Sequence, residues 1–133
     1  MSHAYLIIDD SKLLHQMYQL IFSRPALAGS RLIHAFDGKA GLTQLSAHPE
    51  VRLIFLDLNM PGLTGLEFLA RRRAESLQLH VPVVMVTTES SAEDEQRGLA
   101  AGAAAYLRKP FTPEQIEAVV ARVTQPVQVA SPS

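Results

Sequence analysis

Five polar residues, scattered along the chain, carry the chemistry that the sequence can support. They are the adjacent Asp9 and Asp10, then Asp57, Thr87 and Lys109. Brought together, three carboxylates repel one another and cannot all stay ionised cheaply without a cation. Oxygen-only ligands suit a hard cation, and a few carboxylates completed by water suit Mg2+. The Lys109 ammonium and the Thr87 hydroxyl would add donors for an anion. A metal, an aspartate, a lysine and a hydroxyl in one place can support phosphoryl transfer. An aspartate carboxylate can also be the nucleophile that forms an acyl phosphate. Taken singly, each residue has a plainer reading. Asp9-Asp10 would be a helix cap with a solvated neighbour, Asp57 a turn residue, Thr87 a strand-end hydroxyl and Lys109 a surface lysine. The chemistry depends on whether the fold makes them converge.

The apolar pattern supplies elements that could do so. Ala4 to Ile8 is a short apolar run that reads as a buried strand and ends at Asp9-Asp10. Leu13, Leu14, Met17, Leu20 and Ile21 follow helical spacing, with Asp10 or Ser11 as cap and a stop near Pro25. Arg31 to Phe36 is a second strand, and Asp37 caps a weaker helix from about Lys39 to Ala47. Val51 to Leu56 is a third strand that ends at Asp57. After a loop containing Pro61-Gly62, Thr64-Gly65-Leu66-Glu67 has capping-box spacing and opens a helix to about Glu75. Val81 to Val86 is a fourth strand that delivers Thr87. Ser90 and Ser91 offer caps for a helix to Ala101, and Gly102 is its stop. Ala104 to Leu107 is a short fifth strand. Thr112-Pro113 starts a last helix whose stripe is Ile116, Val119, Val120 and Val123. Five strands alternating with five helices predict an α/β fold, a doubly wound five-stranded parallel sheet with helices on both faces. Ligands of such sheets bind beyond the carboxyl ends of the strands, where all five polar residues fall.

Composition narrows the function classes. The chain has 133 residues, 47% of them hydrophobic and 19% charged, which suits one folded domain and excludes global disorder. Lys plus Arg number 12 against Asp plus Glu 13, so nothing marks an electrostatic nucleic-acid binder. Arg71-Arg72-Arg73 reads as a solvated helix face. Cys is absent, which removes disulfides and thiolate sites. The five histidines, His3, His15, His34, His48 and His80, show no paired metal spacing, which argues against a zinc site. No apolar run approaches the ~20 residues of a membrane-spanning helix, and no secretory signal is visible.

With those residues in place, the sequence resembles the receiver domain of two-component response regulators, and within it the chemotaxis-type single-domain receivers. The resemblance rests on Leu6-Ile7-Ile8-Asp9-Asp10, on Asp57-Leu58-Asn59-Met60-Pro61-Gly62 with Gly65, on Val86-Thr87, and on Gly102-Ala103 through Tyr106-Leu107-Arg108-Lys109-Pro110-Phe111. It implies a flavodoxin-like strand order, 2-1-3-4-5. It implies that Asp57 accepts the phosphoryl group. Asp9, Asp10 and Asp57 would hold Mg2+, with the main-chain carbonyl of Asn59. Lys109 would pair with a phosphoryl oxygen and Thr87 would donate to another. Tyr106 would be an aromatic switch that moves inward as Thr87 moves, and the Lys109-Pro110 bond would be cis. Asn59 and Glu89 would flank the phosphoryl group and set its lifetime. The implied partners are a histidine kinase or histidine phosphotransfer protein as donor and a downstream protein bound through the fourth and fifth strand-helix units. The implied setting is cytoplasmic, with no nucleic acid and no membrane insertion. Residues 1–124 would be the receiver, and 125–133 a flexible tail or severed linker. No activity beyond self-phosphorylation and self-dephosphorylation is implied.

Some positions depart from a typical member. Gly98 interrupts the fourth helix, and Ala104 and Ala105 stand where polar residues are common. Three other readings compete. A haloacid-dehalogenase-like phosphatase also uses an aspartyl phosphate, but usually carries a second acid two residues after the nucleophile, where this chain has Asn59. A flavodoxin-like nucleotide or flavin binder would want a Gly-rich turn after the first strand, where Asp9-Asp10 stands instead. A receiver used only for docking would not need the complete acidic set with Thr87 and Lys109.

Overall fold

The computed structural model describes residues 3–88 and 92–124. Its elements run β1 (His3–Ile8), α1 (Lys12–Phe22), a 3-10 turn (Pro25–Leu27), β2 (Ser30–Ala35), α2 (Gly38–Ala47) and β3 (Val51–Asp57). They continue with α3 (Gly65–Ala74), β4 (Val83–Thr87), α4 (Ala92–Ala100), β5 (Ala105–Arg108) and α5 (Pro113–Thr124). All strand pairs are parallel, and the sheet order is β2-β1-β3-β4-β5. The doubly wound sheet and its strand order are therefore as the sequence and its family resemblance imply.

The apolar runs are long because both faces of the sheet are covered. Leu6, Ile8, Ile54, Leu56, Val83 and Met85 face α2 and α3, joining Leu42, Leu45, Phe68 and Leu69. The alternate residues Tyr5, Ile7, Leu53, Phe55, Val84 and Val86 join Tyr18, Ile21 and Phe22 of α1 and Ile116, Val119 and Val120 of α5. Strand periodicity thus splits one sequence run into two cores. The helices are anchored locally. Ser11, not Asp10, caps α1, its hydroxyl accepting from the Leu14 N–H at 3.2 Å. Asp37 caps α2 and Thr64 completes a capping box with Glu67 on α3. Thr112 and Gln115 exchange the reciprocal bonds of a second such box at the start of α5. Gly102 takes φ +108 just past α4, the left-handed stop that its sequence position predicts. Ser90 and Ser91 lie outside the described residues.

Four local expectations are corrected. β2 is displaced by one residue, to Ser30–Ala35. β4 begins at Val83 rather than Val81, because Val81 closes a turn onto the Gln78 carbonyl and Pro82 has no N–H to give a ladder. β5 is displaced by one residue, to Ala105–Arg108. Arg72 is no solvated face residue. It is 4% exposed and its guanidinium donates to the carbonyls of Leu77, Gln78 and Val81, fastening the turn between α3 and β4.

α4 is the least anchored helix, with Gly98 its only buried residue among those described. A Cβ built at Gly98 meets Met85 Cγ at 3.5 Å and Tyr106 Cδ2 at 4.0 Å, ordinary contacts. Gly98→Ala should therefore stabilise the protein by about 1 kcal/mol, by removing the backbone freedom of an interior helical glycine. A raised urea midpoint checks this; a lowered one means that α4 packs too tightly there to accept a methyl group.

Candidate functional site

The carboxyl edge of the sheet gathers the residues that were far apart in sequence. β1 runs straight into Asp9 and Asp10, and β3 ends at Asp57. One carboxylate oxygen from each of Asp9, Asp10 and Asp57 lies within 4.8 Å of the others. Asp9 and Asp57 are buried, at 2% and 5% exposure, while Asp10 is exposed. Lys109, just after β5, reaches in from the far side of the switch point. Its Nζ donates to Asp9 Oδ2 at 2.9 Å and lies 3.5 Å from Asp57 Oδ1. Thr87 is fully buried at the end of β4, and its carbonyl accepts from the Lys109 N–H at 2.8 Å, tying β4 to the lysine's own backbone. The Lys109-Pro110 peptide is cis.

Main-chain donors aim the acids. Asp9 Oδ1 accepts from the Ser11 N–H at 2.9 Å, and Asp57 Oδ1 from the Asn59 N–H at 3.3 Å. The loop after Asp57 is held close to α3. The Gly65 N–H donates to the Leu58 carbonyl at 3.0 Å, and a Cβ on Gly65 would lie 2.7 Å from the Asp57 carbonyl oxygen. Only glycine permits that approach. The α3 start is thereby pressed against the backbone that carries Asp57.

The electrostatics are unbalanced. Three carboxylates face one ammonium. Burial, and then the charge of Asp9, push the Asp57 carboxyl above its ordinary range, against the pull of Lys109 and the Asn59 N–H. Oxygen donors alone, two of them buried and in charge excess, fit a hard divalent cation such as Mg2+. They do not fit a soft or thiolate-seeking metal.

Asn59 holds a contact that sequence spacing could not reveal. Its Nδ2 donates to Thr87 Oγ1 at 3.2 Å, across 28 positions of sequence. Tyr106, on β5, is partly buried against the α3-side core. Burial and the acidic Asp94 and Glu95 of α4 raise its phenol pKa. Glu89 lies outside the described residues.

Comparison with known proteins follows the same lines. A family model for the response regulator receiver domain matches residues 5–121. The chain is 30% identical to chemotaxis protein CheY1 of Helicobacter pylori over 112 residues, 84% of this chain and 89% of that one. It is 32% identical to the phosphate regulon transcriptional regulatory protein PhoB of Escherichia coli over 132 residues, 99% of this chain. There the chain spans about half of the relative's length, 55%. The solved structure of chemotaxis protein CheY4 of Vibrio cholerae superposes with a TM-score of 0.82 at 35% identity, over 92% of this chain and 99% of that one.

The raised Asp57 carboxyl has a consequence for stability. Its folded pKa exceeds its unfolded one, so between the two values the folded chain binds more protons than the unfolded chain. Stability falls as pH rises through that window, and the ionised Asp57 remains a burden above it. Without divalent cation, Asp57→Asn should raise the Tm at pH 7. The gain should vanish as pH drops toward 3.8, the ordinary aspartate value. Thermal melts across that range check it, and an Asp57→Asn protein less stable at pH 7 contradicts the charge argument.

Proposed function

The chain belongs to the response regulator receiver domain family of two-component signalling, and from that premise we propose that it takes a phosphoryl group from a donor phosphohistidine onto Asp57. The observation that carries this reading is the meeting of Asp9, Asp10 and Asp57 within 4.8 Å, with the Lys109 ammonium 3.5 Å from Asp57 Oδ1. A carboxylate oxygen of Asp57 attacks phosphorus, the donor's phosphorus–nitrogen bond breaks, and the imidazole leaves with the electron pair and takes up a proton. Bound Mg2+ would draw charge from the phosphoryl oxygens and quiet the repulsion among the carboxylates. The donor set of Asp9, Asp10 and Asp57, completed by the Asn59 carbonyl, suits it. Lys109 can leave the carboxylate pair and take a phosphoryl oxygen in charge-assisted contact.

The donor would come from a histidine kinase or a histidine phosphotransfer protein. Leu13, Met17 and Leu20 form an exposed apolar stripe along α1, at 68%, 39% and 72% exposure, beginning beside the acidic pocket. Such a stripe supports helix-on-helix docking of that donor. Among the described residues no helix is long and apolar enough to cross a membrane.

The output would be a shift of the fourth and fifth strand-helix units. A phosphoryl group brings close to two negative charges and three strong acceptors. Thr87 would turn its hydroxyl from Asn59 toward one of them, and Tyr106 would follow inward. The sparse burial of α4 supports that movement, because weakly packed elements are the ones that shift at low cost. Asn59, released by Thr87, and Glu89 would then govern water access to the acyl phosphate. The receiver unit is taken as residues 1–124, with α5 ending at Thr124; residues 125–133 lie outside the described ones. The phosphatase alternative is less well supported, because Asn59 engages Thr87 as an amide donor where that reading wants an acid.

Acetyl phosphate with Mg2+ should label the wild-type protein and leave Asp57→Asn at background by phosphate-affinity gel and intact mass. Labelling of the variant at the wild-type level contradicts Asp57 as acceptor. In the same assay Asn59→Arg should slow loss of the label, by blocking the path of water; unchanged decay removes Asn59 from the hydrolysis step.

A further inference from the structure

The histidines that show no metal spacing along the chain form a pair in space. His15 of α1 and His34 of β2 are 19 positions apart, and their Nδ1 atoms approach to 2.7 Å. The outer nitrogen of each ring faces an oxygen. His15 Nε2 lies 2.8 Å from the main-chain carbonyl of Asp9, which only accepts, so that nitrogen carries its hydrogen. His34 Nε2 lies 3.0 Å from Gln19 Oε1. With the Gln19 oxygen turned toward His34, both outer nitrogens donate and two bare Nδ1 lone pairs point at each other. That arrangement is repulsive unless a cation sits between them, whether a proton or a metal ion. It is also the way imidazole ligands are prepared, with the far N–H held by an oxygen and the near nitrogen bare.

We propose that His15 and His34 form a binding site for a borderline divalent transition-metal ion of the Zn2+ class, held between their two Nδ1 atoms. Imidazole nitrogen suits such ions and not Mg2+, whereas the carboxylates of the acidic pocket accept either. The histidine pair is therefore the site at which Mg2+ does not compete. Zn–N bonds of about 2.1 Å need the two nitrogens about 3.4 Å apart at a tetrahedral ion, so the pair must open and one ring must turn until both lone pairs meet at the ion. His15 cannot supply that movement. It is 4% exposed, locked by Asp9, and its ring lies 4.1 Å from that of Phe36. His34 is only partly buried and can turn. Burial, and then the neighbouring His15, lower the His34 pKa and favour the neutral ring that ligates. An open pocket of about 280 Å³, lined by Lys12, His15, Gln16, Gln19, His34 and Phe36, leads to the pair and admits water to the remaining coordination positions. Lys12 is the cation in that lining, and its exposed side chain is able to extend into solvent.

The test is a calorimetric titration of the full chain with Zn2+ in excess Mg2+, which keeps the acidic pocket supplied with its own ion. We expect one histidine-dependent equivalent, weakened about tenfold or more in His34→Gln and unchanged in His48→Ala. In the wild-type protein, nitrogen NMR should show the Nδ1 signals of His15 and His34 shifting together as Zn2+ is added, with His48 and His80 unmoved. This second measurement decides the matter should His34→Gln fold poorly. No Zn2+ binding, equal binding by wild type and His34→Gln, or shifts confined to other histidines would overturn the proposal. Zn2+ held only at the acidic cluster gives the equal-binding result and also overturns it.

Discussion

The contact between the Lys109 ammonium and the carboxylates of Asp9 and Asp57 is the interaction around which the carboxyl edge of this sheet is organised. It joins the last strand to the first and the third, at the place where the chain reverses its winding. It also leaves the pocket short of positive charge. One ammonium cannot neutralise three carboxylates, and two of those are almost wholly withdrawn from water. A buried charge that is only partly compensated is costly. A divalent cation at the acids would relieve that cost.

The rest of the fold divides into what must hold still and what is free to move. β1, β3 and β4 are buried on both faces, and their ends carry Asp9, Asp57 and Thr87 on rigid backbone. The close approach at Gly65 and the Arg72 clasp make the α3 side equally firm. α4, by contrast, buries a single glycine among its described residues. Stability is thus distributed unevenly, dense where the acids must be positioned and sparse beside Tyr106. The α4 and β5 surface is therefore where the packing resists movement least.

Much of this was readable in advance, for specific reasons. Strand runs such as Leu53-Ile54-Phe55-Leu56 declare themselves because a doubly covered strand needs no polar face. Capping at Asp37 and Thr64 is local chemistry within one turn, so a few consecutive residues suffice to reveal it. The start of β4 is hidden in the sequence because Val81-Pro82 continues the apolar run while the proline and the Gln78 turn end the ladder. The role of Arg72 is hidden in the sequence because three like charges in a row look solvated, whereas helical geometry turns the middle one inward onto three carbonyls.

By itself the sequence determined the alternation of strands and helices, the family resemblance and the identity of the acids, hydroxyl and lysine, since each depends on near neighbours or on ordered motifs. Tertiary structure alone decided that Asn59 holds the Thr87 hydroxyl, that Asp57 is pushed toward protonation chiefly by burial, and that His15 meets His34. Those facts depend on distances between side chains brought together by strand order and twist. Electrostatic energy follows distance and solvent exclusion, and neither is written in the spacing of residues along a chain.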